Sequence, residues 1–137
     1  MMTREAITMT HADVEKLREL LREAARTEYR NSPYLDLLEA ELDRANLVDA
    51  DKIPAEVITM NSTATLLDIE SGEELVLTLV YPDEADLLAD KISVLAPVGS
   101  AMLGYRAGDS FNWDAPGGTR AVRVLKVKQH AEEREKA

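Results

Sequence analysis

Five of the six glycines in this chain, and its only tryptophan, fall within residues 96–118, APVGSAMLGYRAGDSFNWDAPGG. Glycine enters the left-handed backbone region without steric cost, so a cluster this dense means that the chain reverses direction several times over a short distance. Pro97 suits the first position of a short helix, PVGSAML, and Gly104 can stop that helix in a left-handed conformation. Gly108 and Asp109 then turn the chain into SFNWD, and APGG turns it again into TRAVRVLKVKQ. The pattern reads as strand, helix, strand and hairpin in a small space. In the last strand Val122 and Val124 would share a face with Lys126 and Lys128, which implies a bulge or a strand that leaves the core.

Upstream, TATLLDI and EELVLTLVY flank ESGE, a turn holding the isolated Gly72, and together they predict an antiparallel hairpin, with KISVLA as a further strand. The first third has a different texture. In THADVEKLRELLREAA, residues Val14, Leu17, Leu20, Leu21, Ala24 and Ala25 lie on one stripe of period 3.6, with Thr10 as N-cap and Asp13 in the first turn. A second helix starts where Ser32 can cap and Pro33 takes the first position, and its Leu35, Leu38, Leu42 and Ala45 repeat at helical spacing. RTEYRNS is short enough to join the two as a helical hairpin. DKIPAEV then reads as a linker, which places a boundary near Pro54 and divides the chain into 1–53 and 54–137.

Charge narrows the partners. Sixteen basic against 26 acidic side chains give a net charge of −10, which repels a phosphate backbone and argues against direct nucleic-acid binding. No apolar run reaches the length of a membrane span or a signal peptide, and cysteine is absent, so a soluble, cytoplasmic protein without disulfides is expected. His11 and His130 stand near opposite ends, with no HxxxH or P-loop pattern, and no metal or cofactor is expected. Ser100 lies between Gly99 and Ala101 without a nucleophile-elbow context, which makes it a small helix residue. Asn61 and Ser62 in TMNST suit a turn as well as a ligand contact.

TMNS, TLVYP, KISVLAPVGSAMLGYRAGDSFNW and PGG, in this order and spacing, closely resemble the bacterial regulator of nucleoside diphosphate kinase family, Rnk, and EAELDRA in the second helix adds to the match. The core SVLAPVG, LG, GD, W and PGG is shared with the C-terminal domain of the Gre transcript-cleavage factors, whereas TMNS, LVYP and the short N-terminal hairpin point to Rnk. The resemblance implies an α+β protein: a short antiparallel coiled-coil hairpin, then an FKBP-like Gre-type domain with an antiparallel sheet and one short helix. It further implies a non-enzymatic regulator that binds RNA polymerase near its secondary channel and competes with Gre-type factors. Pro97, Gly99, Ser100, Leu103 and Gly104 are the candidate contacts, although glycines and apolar residues also serve to build a fold.

Gre relatives insert a long hairpin whose acidic tip helps to hold a catalytic Mg²⁺. Here a helix of about 16 residues reaches only about 24 Å. The tip AARTEYRNSPY carries one acid, Glu28, between Arg26 and Arg30, with Asp36 about one turn into the second helix. No transcript cleavage is therefore expected. Two other readings stay open: direct regulation of nucleoside diphosphate kinase, as the family name suggests, and peptidyl-prolyl isomerisation, as the fold class allows. Against the latter, the domain has only Tyr81, Tyr105, Phe111 and Trp113 to line an aromatic pocket.

Overall fold

Thr10 closes one element and caps the next. It ends strand β1 (Thr8–Thr10) and, from an extended backbone, its hydroxyl accepts a hydrogen bond from the Asp13 amide at 3.1 Å to start helix α1 (His11–Ala24). The computed structural model describes residues 7–27 and 32–129, and the chain divides into two compact units, Met1–Ile53 and Pro54–Ala137.

In the first unit α1 buries Val14, Leu17, Leu21 and Ala24. Leu20 is half-buried and Ala25, the C-cap, is exposed, so the apolar stripe is narrower than the sequence pattern predicts. Helix α2 (Pro33–Arg44) buries Leu35, Leu38 and Leu42. Ser32 occupies its N-cap position, but the hydroxyl makes no capping hydrogen bond; the backbone carbonyl accepts from Asp36 instead. Strand β2 (Asn46–Val48) follows and pairs in parallel with β1 in the register Thr8 to Asn46. This pair holds the start of α1 beside the end of α2, so the helices run back along one another. Arg18 Nη1 reaches across to Asp43 Oδ1 at 2.9 Å. Neither three-residue strand is foreseen in the sequence.

The second unit is a five-stranded sheet in the order β5-β4-β3-β7-β6, built from β3 (Thr63–Asp68), β4 (Glu74–Val80), β5 (Lys91–Ser93), β6 (Ser110–Ala115) and β7 (Gly118–Lys128). The pairs β4–β3, β3–β7 and β7–β6 are antiparallel, but β5 lies parallel to β4, with Thr78 opposite Lys91. The expectation of an antiparallel sheet is corrected accordingly: the sheet is mixed. The segment Tyr81–Asp90 loops out and brings the chain back to the level of Thr78, near the end of β4, before β5 begins, which a tight hairpin cannot do. Helix α3 (Pro97–Met102) contacts β5 and β6. Ala64, Leu66, Leu79, Val122 and Val124 are buried on one sheet face, with Val94, Met102 and Leu103 also in the core.

Of the two alternatives for the last strand, a bulge or a departure from the core, the structure shows the bulge. Thr65 pairs with Lys126 and Leu66 with Val124, leaving Leu125 as the extra residue. That insertion flips the alternation: Val122 and Val124 face the core before it, and Lys126 and Lys128 are exposed after it. The stretch read as a linker is partly core. Ile53 and Val57 are buried and Val57 bridges Arg106, while Ile58, just after the stretch, is buried too and its amide donates to the Tyr105 carbonyl at 2.9 Å.

Candidate functional site

The five candidate contact residues sit on and after α3. Gly99, Leu103 and Gly104 are buried, and only Pro97 and Ser100 keep partial exposure. Gly99 has a packing reason: a Cβ built there would lie 2.0 Å from the Ser93 carbonyl oxygen, so only glycine lets α3 approach the end of β5 this closely. Gly104 has a conformational one, with φ at +85°, and its amide donates to the Ile58 carbonyl at 2.9 Å. The Ser100 hydroxyl donates to the Pro97 carbonyl at 3.2 Å, inside its own helix. The α3 region is therefore a tightly built support with a small outward face.

The TMNS motif closes a turn. Ser62 Oγ accepts from the Thr59 amide at 2.9 Å and lies 2.6 Å from Thr59 Oγ1, and both residues are buried. Asn61 adopts φ +67°, and its amide donates to the Leu79 carbonyl. Asn tolerates this left-handed geometry better than most side chains, which accounts for its place between Met60 and Ser62.

Of the tip residues, Arg26 is exposed, Asp36 is exposed in the first turn of α2, and Glu28 and Arg30 lie outside the described residues. Asp36 stands where a carboxylate favours a helix N-terminus. Among the described residues no three His, Cys, Asp or Glu side chains are grouped to hold a metal ion. Tyr105 and Phe111 stack on each other with ring centroids 4.8 Å apart, so these two aromatics cover one another.

One surface feature escapes the sequence reading. Leu87 and Leu88 are 77% and 99% exposed, at the far end of the segment between β4 and β5. They are held in place by Asp86, whose carboxylate accepts from the Leu88 amide at 3.1 Å and whose backbone exchanges hydrogen bonds with Lys91 at 3.0 and 2.9 Å. Asp90, left-handed at φ +57°, turns the chain into β5. Two neighbouring leucines displayed on an ordered loop, with Asp83, Glu84, Asp86 and Asp90 around them in sequence, form an apolar tip with an acidic rim. DLLAD carries no assignment in the sequence reading; its place in the crossover to a parallel β5 leaves both leucines exposed.

A further cluster belongs to the fold. Asp68 Oδ1 accepts from the amides of Glu70 and Ser71, both at 3.1 Å, while Oδ2 receives Arg120 Nε at 2.8 Å and Nη2 at 2.7 Å. The Ser71 amide, followed by the Arg120 guanidinium, holds the Asp68 carboxyl below the usual carboxylate range. Arg120 on β7 thereby ties down the β3–β4 turn.

A mixed sheet backed by α3, following a two-helix unit, defines the class: residues 53–129 match the family described as transcription elongation factor, GreA/GreB, C-term. Residues 5–48 match the family described as Rnk N-terminus. The regulator of nucleoside diphosphate kinase of Escherichia coli strain K12 is 39% identical over 132 residues, covering 96% of this chain and 95% of its own length. The chain belongs to the regulator of nucleoside diphosphate kinase family, Rnk. Transcription elongation factor GreA of Rhodospirillum rubrum is 36% identical over 91 residues, which cover 66% of this chain and 58% of that factor. Among solved structures, the transcription elongation factor GreA/GreB from Nitrosomonas europaea superposes with a TM-score of 0.77 at 44% identity, covering 91% of this chain and 99% of that one. These relatives are named as regulators and elongation factors. No helix among the described residues is long and apolar enough to cross a membrane.

Proposed function

We propose that this chain is a non-enzymatic regulator that docks on RNA polymerase near its secondary channel and competes there with Gre-type factors. Kinship to Gre factors over the second unit supports the choice of partner. The observation that carries it is the exposed Leu87–Leu88 tip, because a soluble surface that spends two adjacent leucines on water does so for an interface. Pro97 and Ser100, on the other side of β5 in the chain, are the remaining outward candidates, while Gly99, Leu103 and Gly104 support them from beneath.

Co-purification of the chain with RNA polymerase, followed by displacement with a Gre factor, tests this. Binding is expected for the parent and for Ser100→Ala, with loss of about tenfold or more in affinity for the Leu87→Asp, Leu88→Asp double variant. A double variant that binds as well as the parent overturns the docking site, and failure of a Gre factor to displace the parent overturns the competition. A second reading, direct control of nucleoside diphosphate kinase, has in its favour the name of the 39% identical relative. Recovery of the kinase with no polymerase subunit in the same experiment would replace the first reading with the second.

A further inference from the structure

The second unit holds six cationic side chains among its described residues, and their distribution is one-sided. Arg106 pairs with Glu56 at 3.1 Å, and Arg120 pairs with Asp68 and Glu70. The other four, Lys91, Arg123, Lys126 and Lys128, are all exposed and make no ion pair among the described residues. All four stand on the sheet face opposite the buried one. The register shows this: Lys91, Thr78, Thr63 and Lys128 form one row across four strands, Val76, Thr65 and Lys126 the next, and Glu74, Leu67 and Arg123 the third. The bulged Leu125, 38% exposed, adjoins Lys126, and Val76, 51% exposed, lies in the same row two strands away across Thr65. The acids of this face, Glu74 and Asp114, lie toward the end away from Lys91 and Lys128.

In a chain of net charge −10, four cations gathered around exposed aliphatic groups attract an anionic partner locally, since screening confines charge effects to about 8 Å at physiological salt. The dimensions exclude a single phosphate group, because Lys91 and Lys128 are three strand spacings apart, about 14 Å. A single-stranded nucleic acid is disfavoured as well. None of the residues in these three rows is aromatic, so the face lacks the platform on which bases stack. A protein helix fits better. Lys126 and Lys128 are two residues apart on one strand, about 7 Å, close to the rise of about 6 Å between residues i and i+4 of a helix.

We infer that this face is a second docking surface, whose occupant is an amphipathic helix of a partner protein carrying carboxylates at i and i+4 beside an aliphatic stripe. Its glutamates pair with Lys126 and Lys128, its aliphatic side chains cover Leu125 and reach toward Val76, Arg123 lies further along β7 toward one end, and Lys91 stands to one side across the sheet. The helix completes on this face the layer that α3 supplies on the other. The surface is distinct from the leucine tip, and the inference does not rest on the polymerase reading.

The test uses the full chain and a labelled, end-capped peptide of about 16 residues with Glu at i and i+4 beside a Leu stripe, followed by fluorescence anisotropy and by amide chemical shifts. Saturable binding is expected, with shifts concentrated at Thr65, Val76, Lys126 and Lys128, and with weakening as salt rises from about 50 to about 300 mM. The Lys126→Glu, Lys128→Glu variant is expected to lose about tenfold or more in affinity. Substituting Gln for Glu in the peptide should produce the same loss with the protein unaltered, which separates a charge effect from damage to the fold. Absence of saturable binding, unchanged affinity in the double variant, or unchanged affinity of the Gln peptide overturns the proposal. Tighter binding of an oligouridylate of about 12 nucleotides on the same residues overturns it in favour of a nucleic-acid surface.

Discussion

Two neighbouring residues in α3 separate building from binding. Gly99 rests against the Ser93 carbonyl, so Gly99→Ala forces backbone to move and is expected to destabilise the second unit by about 3 kcal/mol, read as a lowered thermal midpoint. Ser100→Ala removes only a hydroxyl bonded within its own helix and should cost about 1 kcal/mol or less. Equal midpoints for the two variants would remove the packing explanation of Gly99. Asp68 gives a prediction in pH. Its carboxyl is held below the ordinary range first by the Ser71 amide and then by Arg120, so the folded state binds its proton more weakly than the unfolded chain does. The stabilisation from this group is complete above the ordinary carboxylate pKa and fades as pH falls through the lowered one. Asp68→Asn should therefore melt below the parent at about pH 7, with the gap closing as pH falls below the ordinary carboxylate range; a gap independent of pH would show that the charge contributes nothing.

Elements legible in the sequence are those whose signal is local. Thr10 and the 3.6-residue repeat predict α1 to within a residue at each end, and Pro97 and Gly104 delimit α3. The bulge was legible because a conflict of parity, two valines and two lysines on one face, has few resolutions, and Leu125 supplies one. What escaped was non-local. β1 and β2 are three residues each, too short to show alternation, and they exist because they pair with one another across the hairpin. The parallel placement of β5 depends on where the chain goes after Tyr81, and Val57 reads as linker until Arg106 is found opposite it. The same blindness hid the leucine tip, since exposure is a property of the crossover and not of DLLAD itself. In the first unit the helical seam makes a direct prediction: Leu38, 3% exposed, faces a seam that also buries Leu17, Leu21 and Leu42, and Leu38→Ala should cost about 2–4 kcal/mol through the cavity it leaves. Denaturant unfolding that leaves the variant as stable as the parent would dismiss the seam.

At the scale of the whole molecule, the expectation is binding to RNA polymerase without stimulation of transcript cleavage. Reach and charge both lead there. Helix α1 has 14 residues, a length of about 21 Å, against the long hairpin that the resemblance attributes to Gre factors. The tip sequence offers Glu28 as its one acid between Arg26 and Arg30, and recruitment of Mg²⁺ requires carboxylate oxygens that converge while neighbouring cations repel the ion. Asp36, exposed at the start of α2, is placed to favour that helix's N-terminus. The two causes can be separated. If charge alone prevented cleavage, Arg26→Ala with Arg30→Ala would create activity; if reach also limits it, the double variant stays inactive while it still displaces a Gre factor from the polymerase. The second outcome is expected in an elongation-complex assay with a backtracked transcript. Efficient cleavage by the parent chain that disappears in Glu28→Ala would instead make the hairpin tip a catalytic element and end the account of this protein as a purely competitive regulator.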